Sequence, residues 1–110
     1  MPLFAITTMR GPRWDSGVGP REQELWTQHA AFADELVARG VIVLGGPVQD
    51  PDERVVALIA VEATDEAAVK SLFADDPWIT AGILELKEVR GWTVWLDGLG
   101  YYDRTRTEGP

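Results

Sequence analysis

The spacing of apolar residues along the chain predicts a mixture of strands and helices. Apolar and β-branched residues fill Leu3–Arg10 up to a Gly-Pro pair, which predicts a first strand. Gly19 followed by Pro20 is typical of a helix N-terminus, and apolar residues at helical spacing continue as far as Gly40. We therefore predict a first helix over residues 20–39.

The rest of the chain adds three predicted strands and a second helix. In chain order they are a strand at 41–48, a strand at 54–63, a helix capped by Thr64 that ends near Ala74, and a strand at 82–96. The last strand is expected to bend or bulge at Arg90 and Gly91. The order βαββαβ predicts an α+β fold of the ferredoxin-like type, a four-stranded antiparallel sheet with both helices on one face.

The third predicted strand is apolar toward both faces of the sheet. Its centre, VVALIAV at residues 55–61, does not alternate apolar with polar residues, which is typical of a strand covered on both sides. Two helices cover only one face, so a second copy of the chain is the expected cover for the other. The sequence thus predicts a homodimer that packs through its sheet faces.

Length, charge and hydropathy limit the domain organisation and the kinds of partner that the protein can have. The 110 residues fit one domain, placed at 1–96, followed by a tail at 97–110 in which Tyr101 and Tyr102 are the candidates for docking. A formal net charge of -8 disfavours nucleic acid and anionic lipid. No apolar run approaches the length of a membrane span, and the N-terminus does not resemble a signal peptide. We expect a cytoplasmic protein with no nucleic-acid or membrane partner.

The residue types that bind metals and cofactors are scarce. The chain has no cysteine and one histidine, which excludes thiolate chemistry and a multi-histidine metal site within one chain. No phosphate-binding loop or dinucleotide fingerprint is present. We expect neither a metal nor a cofactor.

The single histidine, His29, falls on the apolar side of the first predicted helix. A buried imidazole requires hydrogen-bond partners, so His29 is either a core residue bound to a backbone carbonyl or a general acid/base oriented by a carboxylate. Spacing alone does not choose the carboxylate. The candidates are Asp15, Asp50, Asp52, Asp75 and Asp76.

Two stretches carry a resemblance to a known family. HAAFADELVARGVIVLGGPV (residues 29–48) and LFADDPWITAGILELKEVRGW (residues 72–92) resemble the YCII-related proteins of the dimeric α/β barrel superfamily, and the loop RGPRW resembles one branch of them. The resemblance covers about residues 3–95. It implies a homodimer and a paired His29 and Asp76 beside a pocket. Enzymes of the same family and superfamily indicate possible chemistry without assigning a substrate. They are a dehydrochlorinase of a chlorinated hydroxyquinol, muconolactone isomerase and cofactor-free monooxygenases.

Further candidates for ligand binding each have a structural alternative. Arg10 and Trp14 suit an anionic planar substrate, or else form a dimer contact. Trp26 and Trp78 either line the pocket or pack in the core. Gly46 allows a ligand to approach the backbone, or else serves a turn.

These observations lead to a main hypothesis and two alternatives. The main one is a small cofactor-independent enzyme of the lyase or isomerase type, acting on a small oxygenated or aromatic acid. His29 is its acid/base, Asp76 orients His29, and Arg10 anchors a substrate oxyanion. The alternatives are a dimeric small-molecule binding or regulatory module without turnover, and a structural partner in a larger assembly.

Overall fold

The computed structural model describes residues 1–98 and Gly100, and it confirms the ferredoxin-like fold. Its four strands form one antiparallel sheet in the order β2-β3-β1-β4. The elements are β1 Leu3–Arg10, a 3₁₀ helix Pro20–Glu22, α1 Trp26–Ala38, β2 Ile42–Gly46, β3 Val55–Glu62, α2 Glu66–Phe73, α3 Pro77–Thr80 and β4 Leu84–Gly91. The bounds of β1 are those predicted from the sequence.

The main core lies between the sheet and the two longer helices. Phe4 and Ile6 alternate along β1 onto one face, where they pair with β3 residues that point the same way. Leu36 of α1 and Val69 and Phe73 of α2 bury their side chains in this same cluster. Both helices therefore cover one face of the sheet, as predicted.

The N-terminal part of the first predicted helix is wrong, because the helix is interrupted at residues 23–25, between the 3₁₀ helix and α1. The Gln23 side chain is 5% exposed. Its Nε2 donates to the Asp15 backbone oxygen (2.7 Å) and its Oε1 accepts from the Asp15 backbone N–H (2.9 Å). Leu25 then takes a left-handed conformation with φ 62°, and α1 begins at the next residue. The Gln23 side chain thus holds the loop before the helix, and the helical backbone begins only after Leu25.

The predicted cap of the second helix is also wrong by one residue. Asp65, rather than Thr64, is the N-cap of α2, and its side chain accepts a hydrogen bond from the Ala68 backbone N–H (2.7 Å). The sequence prediction missed the four-residue helix α3 that follows. Both features lie where short polar side chains compete to cap the backbone.

The fourth strand is shorter than predicted and is bulged elsewhere. It ends at Gly91, so the predicted bend at Arg90 and Gly91 is instead the end of the strand. The irregularity lies earlier, where Thr7 pairs with Glu88 but Thr8 pairs with Leu86, so that Lys87 is the extra residue.

The face of the sheet opposite the helices, called the open face below, is apolar and only partly covered. Leu3 and Ala60 pack there with Val94, which follows β4, so the chain covers part of this face itself. Leu44 and Leu58 remain 58% and 38% exposed. The predicted second copy that would cover them stays a prediction. The tail's Tyr101 and Tyr102, with the docking expected of them, lie outside the described residues.

Two kinds of feature are absent from the described residues. None of the helices there is long and apolar enough to cross a bilayer. In that same part of the chain, no group of three or more His, Asp or Glu side chains is placed to bind a metal ion.

Candidate active site

His29 of α1 and Asp76, which precedes α3, form a hydrogen-bonded pair. The Nδ1 atom of His29 lies 2.9 Å from Oδ2 and 3.0 Å from Oδ1 of Asp76. The His29 side chain is 18% exposed and the Asp76 side chain 2%. The carboxylate engages Nδ1, which leaves Nε2 as the nitrogen that can exchange a proton with a ligand. Of the five aspartates left open by the sequence, the structure places Asp76 against the imidazole.

The position of Asp76 follows from the proline after it. Pro77 disfavours helical backbone at the preceding residue, and Asp76 is extended with φ -65° and ψ 124°. Its Oδ1 accepts a hydrogen bond from the Trp78 backbone N–H (2.9 Å), which makes Asp76 the N-cap of α3. A buried carboxylate needs such partners, because an unpaired buried charge is strongly unfavourable. Asp76 is therefore held in place by both the short helix and the histidine.

Trp78 fixes the plane of the His29 ring. The two rings stack with centroids 3.8 Å apart and planes 5° from parallel. The Trp78 indole Nε1–H donates to the Glu24 backbone oxygen (2.7 Å), at the break that precedes α1. Trp78 is 1% exposed. Because Trp78 contacts both the imidazole and the backbone before α1, it couples the histidine to the loop that sets the start of the helix.

Two more tryptophans surround Trp78. Trp14 meets it edge to face and Trp26 meets it at a tilt, each with ring centroids 5.6 Å away. Trp26 also lies against His29, with ring centroids 5.9 Å apart. The interlocked rings favour a single orientation of the imidazole.

The loop after β1 is held against the start of β4 by close backbone contacts. Gly11 N–H donates to the Ile83 backbone oxygen (2.8 Å), and Arg13 N–H donates to the Gly82 backbone oxygen (2.9 Å). A Cβ atom at Gly11 would clash with the Gly82 carbonyl, and Gly82 itself has φ +78°. The Gly-Pro loop thus requires glycines at both contact points, and it delivers Trp14 to the ring cluster.

A small cavity of about 90 Å³ lies beside the pair. Its lining is largely apolar, with polar groups only at the pair and at one threonine. The lining residues are Thr8, His29, Phe32, Ala33, Ile42, Val56, Ala57, Ile59, Phe73, Asp76, Trp78 and Leu84. The sequence prediction missed Thr8. The available signal was its place on the same face of β1 as Phe4 and Ile6, where a polar residue interrupts an apolar face.

The other predicted site residues lie at varying distances from this cavity. Trp26 touches His29 but does not line the cavity, and Trp14 lies behind Trp78. The Arg10 guanidinium sits over the Trp14 ring, 5.6 Å from its centroid. Gly46 lines a separate groove of about 370 Å³ between α1 and β2, which shares Ala33, Ile42, Ala57 and Ile59 with the cavity. The structure thus brings His29, Asp76 and Trp78 together, with Arg10 and Gly46 further out.

A contrasting carboxylate lies in the turn between β2 and β3. Asp52 forms a bidentate ion pair with Arg54, with two contacts of 3.0 Å. Hydrogen bonds from the Arg54 side chain and backbone, more than its charge, lower the pKa of Asp52 from its ordinary value of 3.8 to about 2. This aspartate is a turn residue whose side chain pairs with Arg54.

Comparison with known proteins gives a family and a fold. The model of the YCII-related domain matches residues 4–93. A solved structure with the same fold is 5-chloro-2-hydroxyhydroquinone dehydrochlorinase (TftG) from Burkholderia phenoliruptrix AC1100, in complex with 2,5-dihydroxybenzoquinone. It is 24% identical, with a TM-score of 0.60, and the match covers 83% of this chain and 93% of that one. No curated protein sequence matches the chain.

Proposed function

Because the chain belongs to the YCII-related family, we propose that it is a small enzyme that moves a proton on a small oxygenated or aromatic acid. In this proposal His29 is the general acid/base and Asp76 orients it. The observation that carries the proposal is the placement of a hydrogen-bonded His-Asp pair at the wall of an otherwise apolar cavity. Apolar surroundings that exclude water strengthen the electrostatic effect of such a pair on a bound ligand.

The geometry of the pair suits general base catalysis. Asp76 accepts the hydrogen bond from Nδ1–H of His29, so Nε2 carries the lone pair that removes a proton from the substrate. The imidazolium that forms is stabilised by the buried carboxylate. It returns the proton to another substrate atom in an isomerisation, or to the departing group in an elimination.

The proposed chemistry needs no redox group. Proton transfer, and elimination of a stable leaving group, leave the electron count of the substrate and enzyme unchanged when the proton and the leaving group depart together. The proposal therefore includes no cofactor. Arg10 lies further out, stacked on Trp14, and in this account it attracts an anionic substrate to the entrance instead of touching the reacting atoms.

The structural neighbour suggests the first substrate to test. That enzyme is named for a chlorinated trihydroxybenzene, and its structure holds a dihydroxybenzoquinone. Both are planar rings that carry several oxygens, which agrees with a cavity walled by Phe32, Phe73 and Trp78 and fitted with a base.

The decisive experiment is a turnover assay with 5-chloro-2-hydroxyhydroquinone and related hydroxylated aromatic acids. Chloride release and the absorbance of the ring report the reaction. We expect His29→Gln to abolish turnover, while Glu35→Gln, which removes an exposed carboxylate from the same helix, retains it. Undiminished turnover in His29→Gln would contradict the proposal.

The second candidate function is a small-molecule binding or regulatory module that uses the same cavity without turnover. It is favoured by the groove between α1 and β2, which adjoins the cavity and offers binding space away from His29. Saturable binding of a ligand that the wild-type protein never converts, measured by calorimetry and product analysis together, would select this function.

We also propose that the protein is a homodimer. Its open face exposes Leu44 and Leu58 next to the half-exposed Trp92, and together with Val48 they line an apolar groove of about 320 Å³. Contiguous apolar surface of this kind usually marks an interface. A second copy packed there by twofold symmetry would cover the same residues on both chains.

A further inference from the structure

We propose that the Thr8 hydroxyl is a substrate-binding group, which hydrogen-bonds an oxygen atom of the ligand in the His29 cavity. The inference rests on the proposed function in taking this cavity as the substrate site. It does not require that His29 be a catalyst. It requires that the ligand carry an oxygen at the end that meets β1.

The first observation is the unsatisfied state of the hydroxyl. Thr8 is 1% exposed, and its Oγ1 has no hydrogen-bond partner among the described residues. Thr8 lines the cavity together with His29. Valine has nearly the same shape and would occupy this place without burying an unpaired polar group, so the hydroxyl is unfavourable unless a ligand binds it.

The second observation is the shape of the sheet at this position. The pairing of β1 with β4 shifts between Thr7 and Thr8, and its pairing with β3 shifts between Thr8 and Met9. Thr8 therefore lies between two bulges on its two neighbouring strands. Bulges are enriched beside active sites, where they re-aim a side chain. The extra residue on β3, Val56, also lines the cavity.

The polar groups of the cavity divide into engaged and available ones. Asp76 is engaged by His29 and by the Trp78 backbone N–H. The available groups are the second nitrogen of His29 and the hydroxyl of Thr8. A hydroxyl can donate to a carbonyl or phenolate oxygen and accept from a ligand hydroxyl. An oxygen held by Thr8 would fix the ligand while His29 exchanges a proton with it.

The test compares phenol with toluene, two rings of similar size of which one carries an oxygen. Their affinities are measured from shifts of the Trp78 indole resonance. We expect Thr8→Val to weaken phenol binding by about five- to tenfold, as loss of one hydrogen bond implies, and to leave toluene binding unchanged. Thr8→Ser, which keeps the hydroxyl, should bind phenol like the wild type.

The matched control is Thr7→Val. The Thr7 hydroxyl is also buried without a partner among the described residues, but Thr7 pairs with Leu58 on the open face. The same chemical change one residue away should leave both affinities unaltered. Should Thr8→Val not fold, Thr8→Ala against Thr8→Ser makes the same comparison.

Three results would overturn the inference. They are equal phenol affinity in wild type and Thr8→Val, an equal loss for phenol and toluene, and failure of phenol to bind the wild type up to its solubility limit. The proposed function fails separately. If His29→Gln retains both turnover and Thr8-dependent phenol binding, the hydroxyl keeps its role and the acid/base assignment is lost.

Discussion

The two faces of the sheet differ in where they place their polar groups. On the helix-covered face, Thr8, His29 and Asp76 are enclosed among apolar side chains. On the open face, Leu44 and Leu58 stay exposed, and Glu88 and Arg90 of the edge strand β4 pair in solvent. Enclosed polar groups favour chemistry, whereas an exposed apolar face favours association. In our proposals, the alternation of side chains therefore gives the two faces of one sheet different roles.

Among the variants that compare the two faces, Asp76→Asn on the covered face should have the largest effect. Loss of the orienting carboxylate should lower kcat for an identified substrate by about 10²- to 10⁴-fold, because the imidazole no longer presents an unprotonated Nε2. Steady-state kinetics measure the change. The neighbouring exposed Asp75 provides the control, since Asp75→Asn removes the same charge and should leave kcat within about twofold. Equal effects of the two substitutions would refute the assignment.

The next largest effect concerns the open face. Leu58→Asp should weaken the proposed dimer by at least about 100-fold, because the new carboxylate would be buried and unpaired in the interface. Val37→Asp is the control, since Val37 is 55% exposed on α1 and lies outside the proposed interface. Sedimentation velocity gives the association state of both variants. A wild type that remains monomeric at high concentration would disprove the dimer.

A smaller effect is expected on the free energy of unfolding when a tryptophan beside His29 and one on the open face are each replaced. Trp78→Phe should lower the free energy of unfolding by about 1–3 kcal/mol, because it removes the hydrogen bond to Glu24 and leaves space beside His29. Trp92→Phe on the open face should cost less than about 0.5 kcal/mol, since Trp92 is 47% exposed. Urea unfolding of both variants in the Leu58→Asp background removes the contribution of association. Comparable losses of unfolding free energy in the two variants would contradict the stabilising role assigned to Trp78.

The smallest effect belongs to the exposed carboxylate of the β2–β3 turn. The pKa of Asp52 is about 2, below its ordinary value of 3.8, so its pairing with Arg54 stabilises the folded state above pH 3.8. That contribution fades as the pH falls toward 2. Thermal unfolding of Asp52→Asn should therefore show a slight loss at neutral pH that disappears in acid. A stability loss of Asp52→Asn that grows as the pH falls would contradict a lowered pKa of Asp52.

The sequence was sufficient where structure depends on local pattern. Alternation of apolar residues set the bounds of β1, and Gly40 with its positive φ ended the first helix region. The orientation of His29 toward the sheet followed from helical spacing. Its pairing with Asp76 came from the resemblance to a family, since five aspartates were equally allowed by spacing.

The sequence was insufficient where residues distant in the chain decide the outcome. Before α1 the helix is interrupted next to Gln23, whose side chain binds the backbone of Asp15, and helical spacing gives no sign of that contact. The interruption of an apolar face by Thr8 is visible in the sequence, but the two bulges around it are not. The separation of Gly46 from the cavity depends on how β2 lies against α1.

The tautomer of the single imidazole tests the central claim most directly. Asp76 Oδ1 is bound to the Trp78 backbone N–H, so in Asp76→Asn the amide NH₂ group would face His29 Nδ1 and make it an acceptor. Long-range ¹H–¹⁵N spectra of neutral His29 should show the proton on Nδ1 in the wild type and on Nε2 in Asp76→Asn. A proton on Nε2 in the wild type, or the same tautomer in both proteins, would contradict the account.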